Sequence, residues 1–127
     1  MTRFETTTSI VRDRAIVRAR GYLSGHGGEQ LEEEVGRILL GGSRSIVINF
    51  SETDMVNSVG VSILIGVIEK VRESEGALFF SGLTPVNEEI FRLMGLHNHV
   101  SFIDGDLAAW EDSDNEESTG ESTEDQE

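Results

Sequence analysis

A hydroxyl stands between an amide and a glycine in Met55-Val56-Asn57-Ser58-Val59-Gly60-Val61, where a polar stretch runs into a long apolar periodicity. Val61, Leu64, Ile65, Ile68 and Val71 follow at helical spacing, so Ser58 falls at a helix N-terminus. Two kinds of chemistry are open there. Serine and asparagine side chains cap helices by accepting from backbone N–H groups that have no intrahelical partner. A hydroxyl at such a place is also a well-positioned phosphoacceptor, because the helix dipole and the free N–H groups favour added negative charge. A phosphate would leave the fold intact while repelling a partner docked over it. Capping is the simpler reading of this segment taken by itself.

Other chemistries fit less well. Gly60 follows Ser58 as in a G-x-S-x-G nucleophile elbow, but Val56 fills the first glycine position. The only histidines downstream are His97 and His99, and no neighbour marks either as a base. No catalytic residue is assigned, and the chain is read as not an enzyme. Gly21-Tyr22-Leu23-Ser24-Gly25-His26-Gly27-Gly28 lacks the Gly-Lys-Ser/Thr ending of a phosphate-binding loop. It reads as a flexible connection with Ser24 near the cap of the next helix. His26, His97 and His99 are too isolated for a metal site, and no cofactor is implied.

The elements that must position Ser58 alternate along the chain. Phe4 to Val11 is rich in β-branched residues, and Ala15 to Arg20 alternates apolar and charged after a polar Arg12-Asp13-Arg14, which predicts an antiparallel hairpin. Gly21 to Gly28 predicts a loop. Leu31, Val35, Ile38 and Leu39 predict an amphipathic helix ended by Gly41-Gly42. Ser45 to Phe50 is a nearly continuous apolar run, as in a strand covered on both faces. After the Ser58 helix come a second buried strand at Ala77 to Phe80 and a helical face of Val86, Ile90, Phe91 and Met94, ended by Gly95. A short strand at Val100 to Ile103 and a final helical turn at Leu107 to Trp110 complete the pattern. The order ββαβαβαβα predicts an α/β single domain with a mostly parallel, mixed β-sheet led by an N-terminal hairpin and about four helices.

Charge and composition bound the partners. Residues 111–127 hold nine of the 24 acidic residues and no Lys or Arg, leaving 15 acidic against 10 basic residues in residues 1–110. That body charge of −5, within a total of −14, is an ordinary solubilising charge with no basic stripe, so no direct nucleic-acid binding is expected. The acidic segment has no apolar residue and is expected to be a disordered, solvating tail, with the domain occupying residues 1–110. There is no cysteine, which excludes disulfides and a catalytic thiol and fits a reducing compartment. The start, Met1-Thr2-Arg3-Phe4-Glu5, has no apolar run behind its arginine, and the longest apolar stretches are about a third of the roughly 20 residues a membrane helix needs. A cytoplasmic protein with no membrane insertion is expected.

Four segments at fixed order and spacing carry a resemblance. They are Ile46-Val47-Ile48-Asn49-Phe50, Asn57-Ser58-Val59-Gly60-Val61, Leu78-Phe79-Phe80-Ser81-Gly82-Leu83-Thr84-Pro85-Val86 and Ile90-Phe91-Arg92-Leu93-Met94-Gly95-Leu96. Together they resemble the STAS family, named for sulfate transporters and bacterial anti-sigma factor antagonists, over roughly residues 4–110. In stand-alone members the first serine of an Asp-Ser-Ser/Thr-Gly motif is phosphorylated by an anti-sigma factor that is also a serine kinase. The unphosphorylated form binds that kinase and frees the sigma factor, and a serine phosphatase resets the cycle. The resemblance therefore implies that Ser58 is the phosphoacceptor. It also implies a partner-binding face of Gly21, Tyr22, Leu23, Ser24, Met55, Val56, Asn57, Ser58, Val59, Gly60, Thr84 and Pro85. Two positions depart from the pattern: Asn57 stands where the family has aspartate before the serine, and Ser24 where an aspartate follows Gly-x-Leu. Both changes remove negative charge from the implied face, and Val59 replaces a small polar residue. The alternative expectation is a structural subunit of a larger regulatory or transport complex, in which Ser58 is only a helix cap.

Overall fold

The structure, a computed structural model, describes residues 3–110. The expected acidic tail, 111–127, lies outside the described residues. Strands β1 (Glu5–Val11) and β2 (Arg14–Leu23) pair antiparallel, from Glu5 opposite Arg20 to Val11 opposite Arg14. Their two-residue turn puts Arg12 at φ 61, the left-handed conformation that tight hairpin turns call for. Along β2 the residues alternate in burial: Ala15, Val17 and Ala19 are buried, and Arg18 and Arg20 are exposed. The pattern in the sequence is thus an alternation of sheet faces.

Helix α1 (Gly25–Leu40), strand β3 (Ser45–Val56), helix α2 (Ser58–Glu73), strand β4 (Ala77–Ser81) and helix α3 (Pro85–Leu93) follow. A 3-10 turn at Leu96–Asn98, strand β5 (Ser101–Ile103) and a second 3-10 turn at Asp106–Trp110 end the described chain. Three α-helices and the terminal turn thus account for the helical segments expected. The sheet order is β1-β2-β3-β4-β5, and β2 to β5 are parallel. The crossovers always step in the same direction along the sheet, and α1, α2 and α3 all bury side chains in one core against one sheet face.

The core lies between that face and the helices. Leu31, Val35 and Ile38 of α1 and Val61, Leu64, Val67 and Val71 of α2 are buried against Val17, Ile46, Ile48 and Phe50. Phe50, Phe80 and Phe91 meet edge to face with centroids 5.1, 5.2 and 5.7 Å apart, which fastens α3 to β3 and β4. Beside the core, the Glu34 carboxylate of α1 accepts from Thr8 Oγ1 of β1 at 2.5 Å. That bond, opposed by burial and assisted by Arg37, holds the carboxyl below its ordinary range.

β3 is covered on both faces, as its apolar run predicts, but by different means. On the face away from the helices Val47 is fully buried, and its cover is the Asp106–Trp110 turn. Trp110 Nε1 donates to Ser45 Oγ at 2.6 Å, and Asp106 Oδ1 accepts from Asn49 Nδ2 at 2.8 Å and from Ser81 Oγ at 2.5 Å.

Three expectations are corrected. The glycine stretch 21–28 is not a loop: Gly21 to Leu23 end β2, and Gly25 to Gly28 are the first turn of α1. A register shift at Gly21/Tyr22, with Gly21 at φ 104, lets the strand continue, and Gly27 and Gly28 are buried beneath Phe4 and against α2. The strand beginning at Ser45 does not stop at Phe50 but runs to Val56, because its second half keeps pairing with β2. Thr53 Oγ1, buried there, donates to Ala19 O at 2.7 Å. Val86 is not a core residue; it is 68% exposed, and Asn87 takes the inward position instead.

Candidate functional site

The carboxyl ends of β2, β3 and β4 each feed directly into a helix, so three helix N-termini share one edge of the sheet. Each has its own polar cap. Ser24 Oγ accepts from Gly27 N at 3.3 Å, Asn57 Oδ1 accepts from Gly60 N at 2.8 Å, and Thr84 Oγ1 accepts from Asn87 N at 3.2 Å. All three cap residues have extended backbone, with ψ of −175°, 168° and 157°. Pro85 occupies the first position of α3, where its missing N–H costs nothing.

The cap of α2 is therefore Asn57 and not Ser58. The reading of Ser58 as a helix cap is corrected: Asn57, one residue earlier, has the extended backbone and the side-chain reach that a cap needs. Ser58 is the first residue of α2, exposed, and its hydroxyl makes no side-chain hydrogen bond among the described residues. Asn57 uses both ends of its amide, because Nδ2 also donates to Tyr22 Oη at 2.8 Å. Its backbone N–H donates to Leu23 O at 3.0 Å. A carboxylate at position 57 could keep the cap but could not donate to Tyr22.

Close backbone approach holds the first two N-termini together. A Cβ on Gly60 would stand 2.5 Å from the carbonyl oxygens of both Leu23 and Ser24. No side chain fits there, so the glycine is required where α2 passes under the β2–α1 junction. A Cβ on Gly25 would meet Val59 Cγ1 at 2.9 Å, which places the first residue of α1 against the second of α2. The third N-terminus is tied in by Asn87, whose buried Nδ2 donates to Thr53 O at 3.1 Å.

The twelve residues singled out by resemblance thus fall on this one edge. Gly21, Tyr22 and Leu23 end β2, where Tyr22 pairs with Met55 and Leu23 with Val56. Ser24, Asn57 and Thr84 are caps, and Ser58, Val59, Gly60 and Pro85 open helices. Not all of them present a side chain to a partner: Leu23 and Gly60 are buried. The exposed apolar residues of the edge are Met55, Val59 and Val86, at 55%, 57% and 68%. Neither α1 nor α2 has an acidic residue in its first turn, and both caps are neutral, so the positive helix ends are left uncompensated. Sequence reasoning missed Thr53 and Asn87, whose pairing joins residues 34 apart; only the proximity of Asn87 to Pro85 pointed to it.

Among the described residues no group of three or more His, Asp or Glu is placed to hold a metal, and no helix is long and apolar enough to cross a membrane.

Known proteins share sequence and fold with this chain. BtrV of Bordetella bronchiseptica, provisionally named an anti-sigma factor antagonist, is 28% identical over 76 residues, 60% of this chain. The match spans 66% of BtrV, just under two thirds of that relative's length. The structure of the anti-sigma factor antagonist SpoIIAA in its unphosphorylated form superposes with a TM-score of 0.66 at 18% identity, covering 90% of this chain and 99% of that one. The phosphorylated form of Bacillus SpoIIAA gives 0.63 at 20% identity, over 84% and 96%. An anti-sigma factor antagonist from Mycobacterium paratuberculosis gives 0.73 at 20%, over 84% and 91%. These likenesses establish a shared fold. The STAS domain family itself matches residues 4–108, so this chain belongs to the STAS family.

Proposed function

We propose that this chain is an anti-sigma factor antagonist switched at Ser58. One observation carries the reading: Ser58 is relieved of capping by Asn57, and its hydroxyl stands exposed and unengaged on the edge where three helix N-termini meet. In this reading an anti-sigma factor with serine-kinase activity docks over Met55, Val59 and Val86, with Ser24, Asn57, Thr84 and Pro85 around them. It transfers the γ-phosphoryl group of ATP to Ser58 Oγ, releasing ADP and a proton. The phosphoserine sits at the positive end of α2, so the fold tolerates it, while its charge of about −1.5 to −2 disrupts an interface built on exposed apolar groups. A serine phosphatase transfers the phosphoryl group to water and restores the hydroxyl. All catalysis belongs to the partners, and this chain is substrate and ligand. The names of BtrV and SpoIIAA support the same reading.

The test is intact mass and peptide mapping of the protein purified from its native cell, together with the proteins it retains. A phosphate on Ser58 in part of the population, and a histidine-kinase-like ATPase retained by the Ser58→Ala variant but not by Ser58→Asp, are the expected results. Equal retention by the two variants would refute the switch. Recovery mainly in a stable, large complex would favour the structural-subunit reading instead.

A further inference from the structure

Strand β1 stands at one end of the sheet order, with β2 as its one strand neighbour among the described residues. The N–H and C=O groups on its outer side therefore have no ladder there. Folded proteins commonly blunt such an edge with lysine, proline or a bulge. Thr6-Thr7-Thr8-Ser9-Ile10-Val11 has none of these: it is uncharged, β-branched except at Ser9, and pairs with β2 in an unbroken register. Ile10 and Val11, 53% and 69% exposed, leave apolar surface at one end of the strand. An edge of this kind is completed by adding another strand.

The charges at the two ends of β1 point to its own copy as that strand. Two copies pair antiparallel about an axis normal to the sheet, and opposite residues must then lie on one face. An axis through Thr8 sets Thr6 opposite Ile10, Thr7 opposite Ser9 and Glu5 opposite Val11 of the second copy. Continued past the strand ends, the same register carries Arg3 towards Asp13 of the second copy and Glu5 towards its Arg12. Arg3, Arg12 and Asp13 are exposed and have no ion pair among the described residues. An axis at Ser9 would bring Glu5 opposite Asp13, like against like. An axis at Thr7 would set Arg3 and Glu5 opposite Val11 and Ser9, with no opposite charge. Only the Thr8 axis makes the edge complementary to itself.

We propose that β1 pairs antiparallel with β1 of a second copy about an axis at Thr8, joining two five-stranded sheets into one. The pairing satisfies the outer backbone groups and covers Ile10 and Val11. Glu34 comes near the axis through its bond from Thr8, and each Glu34 is already paired with Arg37, so no bare carboxylate meets its copy. Strand reversal across the axis points the two Ser58 edges to opposite ends of the joined sheet. Both stay open to partners, and the inference does not rest on the reading of Ser58.

Sedimentation equilibrium of the full chain should show its mass rising from one chain towards two with concentration. Thr7 and Ser9 are exposed, and neither side chain makes a hydrogen bond among the described residues, so both positions can be changed without disturbing the fold. Thr7→Glu/Ser9→Glu sets glutamates directly opposite glutamates across the axis and should stay monomeric, with its circular dichroism unchanged. Mixing it with Thr7→Lys/Ser9→Lys should restore the mass of two chains. The chain has no cysteine, so Thr7→Cys mixed with Ser9→Cys should form a disulfide several-fold faster than either variant alone. A single-chain mass at every concentration would overturn the proposal, as would a glutamate variant that dimerises like wild type. Equal cross-linking rates would reject the axis at Thr8. Loss of the dimer in Ser58→Asp would assign the interface to the Ser58 edge and overturn the proposal as well.

Discussion

Replacing Asn57 tests the division of labour between Asn57 and Ser58. Asn57→Ala removes the acceptor for Gly60 N and the donor to Tyr22 Oη. Loss of the cap costs about 1 kcal/mol and loss of the half-buried second bond about 0.5 kcal/mol, for a total of about 1–2 kcal/mol. Unfolding entropy of about 2.1 cal/mol/K per residue gives roughly 0.2 kcal/mol/K for a domain of this size, so the melting temperature should fall by about 5–10 °C. Ser58→Ala removes an exposed hydroxyl with no bond, and its effect should stay within about 0.5 kcal/mol, or 2–3 °C. Asn57→Asp keeps an acceptor for Gly60 N and adds charge at the positive end of α2, worth about 0.3–1 kcal/mol at low salt. It should melt at or above the wild-type temperature in dilute buffer and lose that advantage in about 0.5 M salt. Thermal unfolding followed by circular dichroism in both buffers measures all three. A drop for Ser58→Ala as large as that for Asn57→Ala would show that the cap is shared. A drop for Asn57→Asp matching Asn57→Ala would show that the Tyr22 bond, not the cap, holds the turn.

Two further outcomes follow from the packing and electrostatics. Gly60→Ala drives a Cβ against two backbone carbonyls that cannot move independently, and should cost about 2–3 kcal/mol in urea unfolding. Gly25→Ala meets only the rotatable end of Val59 and should cost less than about 1 kcal/mol, so equal losses would contradict the close approach described. Thr8→Val removes the main cause of the lowered Glu34 carboxyl. Because that value is depressed in the folded state, the stabilisation is present above the ordinary carboxylate value of 4.5 and is lost as pH falls through the folded one. The urea midpoint of Thr8→Val should lie below wild type at pH 7, with the gap narrowing towards pH 3; an unchanged gap would refute the assignment.

Much of the fold was legible because the helices and β2 each bury one face. Leu31, Val35 and Ile38, and Val61, Leu64 and Val71, repeat at helical spacing and are buried as that spacing predicts. The start of α2 at Ser58 was legible for the same reason. What escaped depends on contacts distant in sequence. Glycines at 21–28 read as a loop because their local preference is for turns; they form strand and helix because Phe4 and Gly60 close over them. Residues 51–56 look like a polar loop, since only Thr53 among them is buried, yet they remain strand through pairing with β2. At the site, the resemblance brought Ser58 forward, but the choice of Asn57 as cap turned on backbone angles and on a hydroxyl 35 residues away. Val86 was misread because Pro85 starts α3 one residue earlier than its apolar periodicity does, which turns Asn87 inward to meet Thr53.

The sheet order that places all helices on one side has a further consequence, for the way the chain assembles. Each strand lies beside its predecessor, so none has to be threaded between two that already pair. Each new β-unit therefore pairs with the strand that precedes it in the chain. The hairpin supplies the first edge, and β3 extends it while leaving Ser58 at a half-built rim. That rim is complete only when Asn87 of α3 reaches back to Thr53. The rim that carries Ser58 is thus completed only after most of the sheet that supports it has been laid down.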